Sequence, residues 1–286
     1  MRRIPVAQTI RDAYIFAGTN LGGIIGLIWV SMVIITVARF FTFYRFYNDF
    51  IDFLASGNGA QMGPAMLMMM GYLVAVMLLY AVMFTAVIQL ALGARTAPSV
   101  IHFAFGPLEW RMFRAFFALA GLMLLVAAIV MVGANAVLML GAAKSQGAAG
   151  AFAIMAMLGI GVVVLARFLL LAPAIAVNEA APVLRRAWTL SAGNFLPLLG
   201  VLLGLFLPLL LVVSLIDAVV GGKPDVTPGA TTQVQMLAAV MHARQTLSLT
   251  CGLGFFFSPL MIGLLAGASV SVWRTLKDEP KIEILA

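Results

Sequence analysis

The stretch ARFLLLAPAIAVNEAAPVLRRAWTLSAGNFLPLL, residues 166–199, decides how this chain is read. Hydrocarbon side chains run into it and out of it. Within it stand Arg167, Glu179, the pair Arg185 and Arg186, and the prolines Pro173, Pro182 and Pro197. A polar, proline-broken interval between two apolar runs is what a chain needs where it leaves a bilayer, turns along the headgroups and re-enters. The interval therefore implies a membrane span on each side of it.

The rest of the chain agrees. With 64% hydrophobic residues, 9% charged residues and a mean hydropathy of +1.12, it cannot cover itself with a soluble surface. Six runs reach the roughly 20 apolar residues that cross a hydrocarbon core of about 30 Å: residues 21–41, 65–92, 115–142, 148–177, 195–219 and 247–272. Runs of this length mean helices rather than the strands of a barrel. The expected fold is an all-α membrane protein with six transmembrane helices arranged as three hairpins, each preceded by a cytoplasmic amphipathic helix. Arg2 and Arg3 are separated from the first run by a polar stretch, and no small-x-small site follows a short apolar region, so the N-terminus is expected to be retained.

Charge sets the expected orientation. Eleven basic residues (Arg2, Arg3, Arg11, Arg95, Arg111, Arg114, Arg185, Arg186, Arg274, Lys277 and Lys281) fall on one side of the spans. Five (Arg39, Arg45, Lys144, Lys223 and Arg244) fall on the other, with Arg167 set apart. The richer side is expected to be cytoplasmic, with both termini there, in the bacterial inner membrane. The net charge of +7 is thus spent on topology and on anionic headgroups, and no soluble basic surface exists to bind nucleic acid.

Three polar stretches carry helical periodicity. The first places Val6, Ile10, Ala13, Tyr14 and Ala17 on one face and Gln8, Thr9, Arg11 and Asp12 opposite, and reads as an interfacial helix. The second is 99–113, interrupted at Gly106-Pro107. The third is 179–194, with Val183, Leu184, Ala187, Trp188 and Leu190 against Arg185, Arg186, Thr189, Ser191 and Asn194. An offset of 174 residues carries Arg11 onto Arg185, Tyr14 onto Trp188 and Asn20 onto Asn194. The reading is three repeated units, about 1–93, 94–178 and 179–273, with a short charged tail at 274–286 in a single membrane domain. Loops are expected at 48–63, at a tight turn around Lys144 to Gly147, and at 221–245, which would lie on the outer surface. Pro208 should kink the fifth span. Gly22-xxx-Gly26, Gly200-xxx-Gly204 and Gly263-xxx-Gly267 offer small faces for helix contact.

The chemistry, if any, should gather in the opening stretch. About 20 residues of rise from Ala148 bring Arg167 near the inner headgroup level. It could snorkel there, or it could be buried and partnered, because the apolar run 168–177 continues beyond it. Arg167, Glu179, Arg185 and Arg186, with Trp188, Ser191 and Asn194, form a candidate lipid, anion or structural cluster. A continuous helix would hold Arg167 and Glu179 about 18 Å apart, so contact requires a turn, which Pro173 and Pro182 permit.

The same residues carry a resemblance. An arginine, an apolar stretch with proline, a glutamate, and a basic helix ending in aromatic-Thr-Leu-Ser-x-Gly-Asn resemble the membrane-domain family found in front of some bacterial glycerophosphoryl diester phosphodiesterases and in stand-alone bacterial membrane proteins. Here the matching positions are Arg167, Pro173, Glu179, Arg185, Arg186, Trp188, Ser191, Gly193 and Asn194. The resemblance implies an integral inner-membrane protein and does not bring phosphodiesterase activity, which belongs to a separate soluble domain.

Catalysis is not expected. His102 and His242 are the only histidines and fall on opposite sides, Asp217 stands alone in its span, and Cys251 is the sole cysteine. No catalytic, metal or cofactor residues are assigned. Two function classes remain. One is an accessory or scaffolding membrane protein engaging lipids or envelope proteins; the other is a transporter or lipid-handling protein with an anion site near Arg167. Expected partners are membrane lipids, anionic ones included, and a membrane protein, with oligomeric state open.

Overall fold

A computed structural model describes residues 3–57, 59–95, 105–139, 146–177, 183–222 and 231–277. Every regular element among them is helical: α1 (Val6–Thr19), α2 (Leu21–Ser56), a 3-10 turn (Gly59–Gln61), α3 (Met62–Ala91), α4 (Pro107–Met139), α5 (Gln146–Phe168), α6 (Leu171–Ala176), α7 (Val183–Ser191), α8 (Phe195–Ile216) with a π-turn (Asp217–Gly221), α9 (Thr232–Gln245) and α10 (Leu247–Lys277). Six helices are long and apolar enough to cross a membrane, as the sequence indicates. Glu179, Pro182, His102, Lys144, Ser145 and the tail 278–286 lie outside the described residues.

The fourth span is not one helix. Pro173 has no N–H to offer the carbonyl of Leu169, and its ring crowds that carbonyl, so α5 stops at Phe168 and the chain turns before α6 begins. Leu169 to Ile175 are all buried, and α6 packs against α3, α4, α7 and α10. The apolar run that continues past Arg167 is therefore covered by protein. Together with Met83, Ile88, Met112, Leu198 and Trp273 it makes a dense core at the end of the bundle that holds Val6 and Lys277. Arg274 belongs to this near end too, donating to the carbonyls of Ala91 and Leu92 at 3.4 and 3.3 Å where α3 terminates.

The opening amphipathic helix is part of the bundle. Val6 and Ile10 meet α8, and Ala13, Phe16 and Ala17 meet α10; of the side expected to be polar, Thr9 is fully buried and Asp12 accepts from Ser271 at 3.2 Å, while Gln8 and Arg11 are exposed. Two glycine faces make this possible. A Cβ on Gly200 would stand 3.3 Å from Val6, and one on Gly267 would stand 3.1 Å from the Cα of Ala13. Tyr14 also reaches α8, directing its hydroxyl to the carbonyls of Gly204 and Leu205 at 3.5 and 3.4 Å. Gly204 precedes Pro208 by four residues, so Pro208 leaves that carbonyl without its helical donor while α8 continues through it. The short helix then gives way to the long one at Asn20 (φ −106°, ψ 13°), and α7 gives way to α8 at Asn194 with nearly the same backbone (φ −115°, ψ 20°).

Two expected boundaries move. Residues 107–113 are the first turns of α4 rather than a separate helix, because Pro107 suits the first helical position and Glu109 accepts from the Gly106 N–H at 2.8 Å. The aromatic crowd after the first span stays helical to Ser56, making α2 36 residues, about 54 Å at 1.5 Å per residue. Rings four apart touch along it: Phe40 with Tyr44, Phe43 with Tyr47 and Phe46 with Phe50. Helix α9 packs against this extension, with Gln233 donating to the Leu54 carbonyl at 2.7 Å and Arg244 lying 5.3 Å from the Tyr44 ring.

Close packing at the two glycine faces should be visible in stability. Gly267→Val is expected to cost about 1–3 kcal/mol as an overpacking change and to lower the melting temperature in detergent. Gly22→Val, where a Cβ meets nothing within 4 Å, should leave it nearly unchanged. Equal effects of the two would mean that α1 does not depend on the Gly267 face.

Candidate functional site

Two places in the bundle combine polar groups with apolar surroundings. The first is the stretch singled out by the sequence. Because α5 ends at Phe168 and the chain turns through α6, α7 lies alongside α5 with Trp188 against Arg167, and the start of α8 adds Phe195. The guanidinium carbon lies 4.8 Å from the Trp188 ring centre and 5.6 Å from that of Phe195. Phe168 adds a third ring, 5.9 Å from Trp188. Arg167 is thus half-buried, and its Nε is buried with no hydrogen-bond partner among the described residues. The arrangement is a cation held on aromatic faces.

The other members of the candidate cluster divide. Ser191 and Asn194 are buried, but Ser191 donates to the Trp188 carbonyl at 2.9 Å, which closes the end of α7. Gly193 has φ +79°, a conformation that lets the chain turn into α8. These residues shape the α7–α8 joint. Arg185 points outward, exposed, and is not brought to Arg167; the Arg186 side chain lies outside what the structure describes, as does Glu179. Phe195 was not among the residues singled out by sequence, since an aromatic at the start of a span reads as an interface anchor.

The second place is a cavity of about 1070 Å³ within the membrane-spanning part of the bundle. That is at the upper end of the roughly 300–1,000 Å³ usual for ligand sites. Its floor is Leu169, Leu171 and Ala172, where α6 turns in; its walls come from α3, α4, α5, α8 and α10, and are mostly Leu, Phe, Val and Met. Leu165 and Leu210 line it and are exposed, so it is open at the side. Polar groups lie mostly away from α6: Arg39, Ser214, Asp217 and Thr250, with Ser258 midway along α10's stretch of the lining and Tyr80 also on the wall. Thr250 and Ser258 direct their hydroxyls to carbonyls of their own helix, those of Leu247 and Gly254. No helix bears two of the other groups except α8 with its π-turn, so the set arises only when the chain folds.

Arg39 owes its position to helix direction. Every Cα–Cβ bond leans toward the helix N-terminus, and α2 begins deep in the bundle beside Ala17 and Gly263. A side chain midway along α2, as at Arg39, therefore leans back toward the bundle. Its Nη1 reaches within 3.2 Å of where a Cβ on Gly254 would lie, and Phe43 sits beside it, with 5.9 Å from the guanidinium to the ring centre. Among the described residues Arg39 makes no hydrogen bond and no ion pair. From sequence it was one of five basic residues counted for topology, and the signal that could have distinguished it was the direction of its side chain.

Comparison with protein-family models, with curated proteins and with solved structures finds no match.

The aromatic seat of Arg167 makes a measurable claim. With Trp188 47% exposed, the contact should be worth about 1 kcal/mol, between the exposed and desolvated limits. Arg167→Gln and Trp188→Ala should each lower the melting temperature in detergent, and the double variant should lose less than the sum. Strict additivity would show that the ring does not hold the cation.

Proposed function

We propose that this multi-pass membrane protein handles lipids, binding an amphiphile in the cavity between α3, α4, α5, α8 and α10. One observation carries the reading: a large apolar chamber, open at the side, lies within helices that are long and apolar enough to cross a membrane. Lined by hydrocarbon, such a space is costly to fill with water and favourable to fill with acyl chains. The anion site of this reading moves, since Arg167 is engaged by aromatic rings while Arg39 faces the chamber.

The accessory reading has less in its favour. It relied on amphipathic helices and the tail engaging lipids or partners, and the apolar face of α1 is already engaged by α8 and α10. We take the protein to be a binder rather than an enzyme, resident in a bacterial inner membrane with both termini cytoplasmic. Labelling of single cysteines at Ser56 and Asp278 in a Cys251→Ser background would read that orientation.

Filling the chamber tests the function. Gly161 lines it, and a Cβ there meets only the flexible end of Met123 at 3.8 Å, so Gly161→Phe should fold and occupy the space. Wild-type protein is expected to purify with bound phospholipid detectable by native mass spectrometry, and Gly161→Phe to lose most of it at an unchanged melting temperature. Equal lipid on both proteins would remove the chamber from consideration.

A further inference from the structure

We propose that Arg39 receives the phosphate of a phospholipid whose acyl chains lie in the chamber, pointing toward α6. This rests on the lipid-handling reading and adds the head-group chemistry. Three observations lead to it. The lining is mostly apolar, and its charged groups, Arg39 and Asp217, lie away from α6, so an occupant should be apolar over most of its length and polar at one extremity. From Thr250 to Leu265, both in its lining, α10 rises about 22 Å at 1.5 Å per residue, against about 15 Å for half of a 30 Å core. A long acyl chain fits along it.

The polar end then selects the head. Arg39 lines the chamber as a full positive charge, half-buried among Tyr80, Phe43 and Gly254, with no carboxylate or carbonyl partner among the described residues. A cation left in this state favours an anion, and a guanidinium offers a planar fork of donors matched to phosphate oxygens. The hydroxyls of Thr250 and Ser258 are committed to helix carbonyls, which leaves Arg39 as the strong donor at this end. Asp217 on the same lining disfavours a head with several negative charges, so a single phosphodiester is the better match. Free phosphate is a poor occupant, because the rest of the chamber offers its hydration shell nothing but hydrocarbon.

The experiment uses the full-length protein in detergent and compares phosphatidylethanolamine with diacylglycerol of the same chains by native mass spectrometry, with inorganic phosphate as a competitor. Wild type is expected to prefer the phospholipid at least tenfold, and millimolar inorganic phosphate should leave that preference intact. Arg39→Gln should bring the two lipids to parity with diacylglycerol binding unchanged, and Arg39→Lys should retain part of the preference. Should Arg39→Gln fail to fold, the Arg39→Lys ratio carries the test alone, a ratio equal to wild type counting against the fork. A preference that survives Arg39→Gln, or that inorganic phosphate abolishes, would overturn the proposal. Retention of both lipids by Gly161→Phe would instead overturn the lipid-handling reading beneath it.

Discussion

In hydrocarbon every backbone N–H and C=O must find a partner inside the protein, and the architecture of this chain follows from where that requirement is hardest to meet. Pro173 cannot bond to Leu169, so the fourth span breaks two residues beyond Arg167. A break of this kind cannot face lipid. The chain buries it, packing Leu169 to Ile175 into the near end of the bundle. That buried turn is at once part of the main core, a wall of the chamber and the element that lets Trp188 return to Arg167. Pro208 raises the same problem in the fifth span and meets a different answer, the hydroxyl of Tyr14 from α1.

Helix α1 links these features. Gly200 and Gly204 receive Val6 and Ile10, and Gly263 and Gly267 face Ala17 and Ala13, which brings the helices close enough for dispersion contacts to act over whole faces. With α1 fixed along α10, α2 starts deep in the bundle and continues well past the others, and α9 packs on its extension. Arg39 lies on this element. Its inward lean results from the placement of α1, so the packing at the glycine faces and the polar end of the chamber are parts of one arrangement.

Much of the fold was legible in the sequence because bilayer thickness imposes a length that apolar runs either reach or miss; all six spans were found this way. The role of small residues at helix contacts was legible for the fifth and sixth spans, although the partner, α1, was not, since a glycine face names no occupant. Amphipathicity located α1 but could not name what its apolar face meets, which is α8 and α10; Thr9, read as part of the polar side, is fully buried, while Gln8 and Arg11 are exposed. The ends of α2 and α4 were missed where aromatic and polar residues at a membrane boundary are compatible with loop and helix alike. At the candidate site, the sequence grouped Arg167 with the charges of Glu179, Arg185 and Arg186 and did not foresee its seat on Trp188 and Phe195, and the chamber depends on residues from seven helices, whose convergence no spacing reveals.

The account comes down to a claim about space: an apolar chamber inside the bundle, closed at α6 and polar at Arg39, that holds lipid. A cryo-electron microscopy map of the protein in lipid nanodiscs would test it most directly. The account predicts elongated density running from beside Arg39 to the level of Leu171, with its strongest feature within hydrogen-bond distance of the guanidinium. A chamber closed by α8 moving onto α5, with Arg39 turned out to water and no density along its former lining, would contradict it.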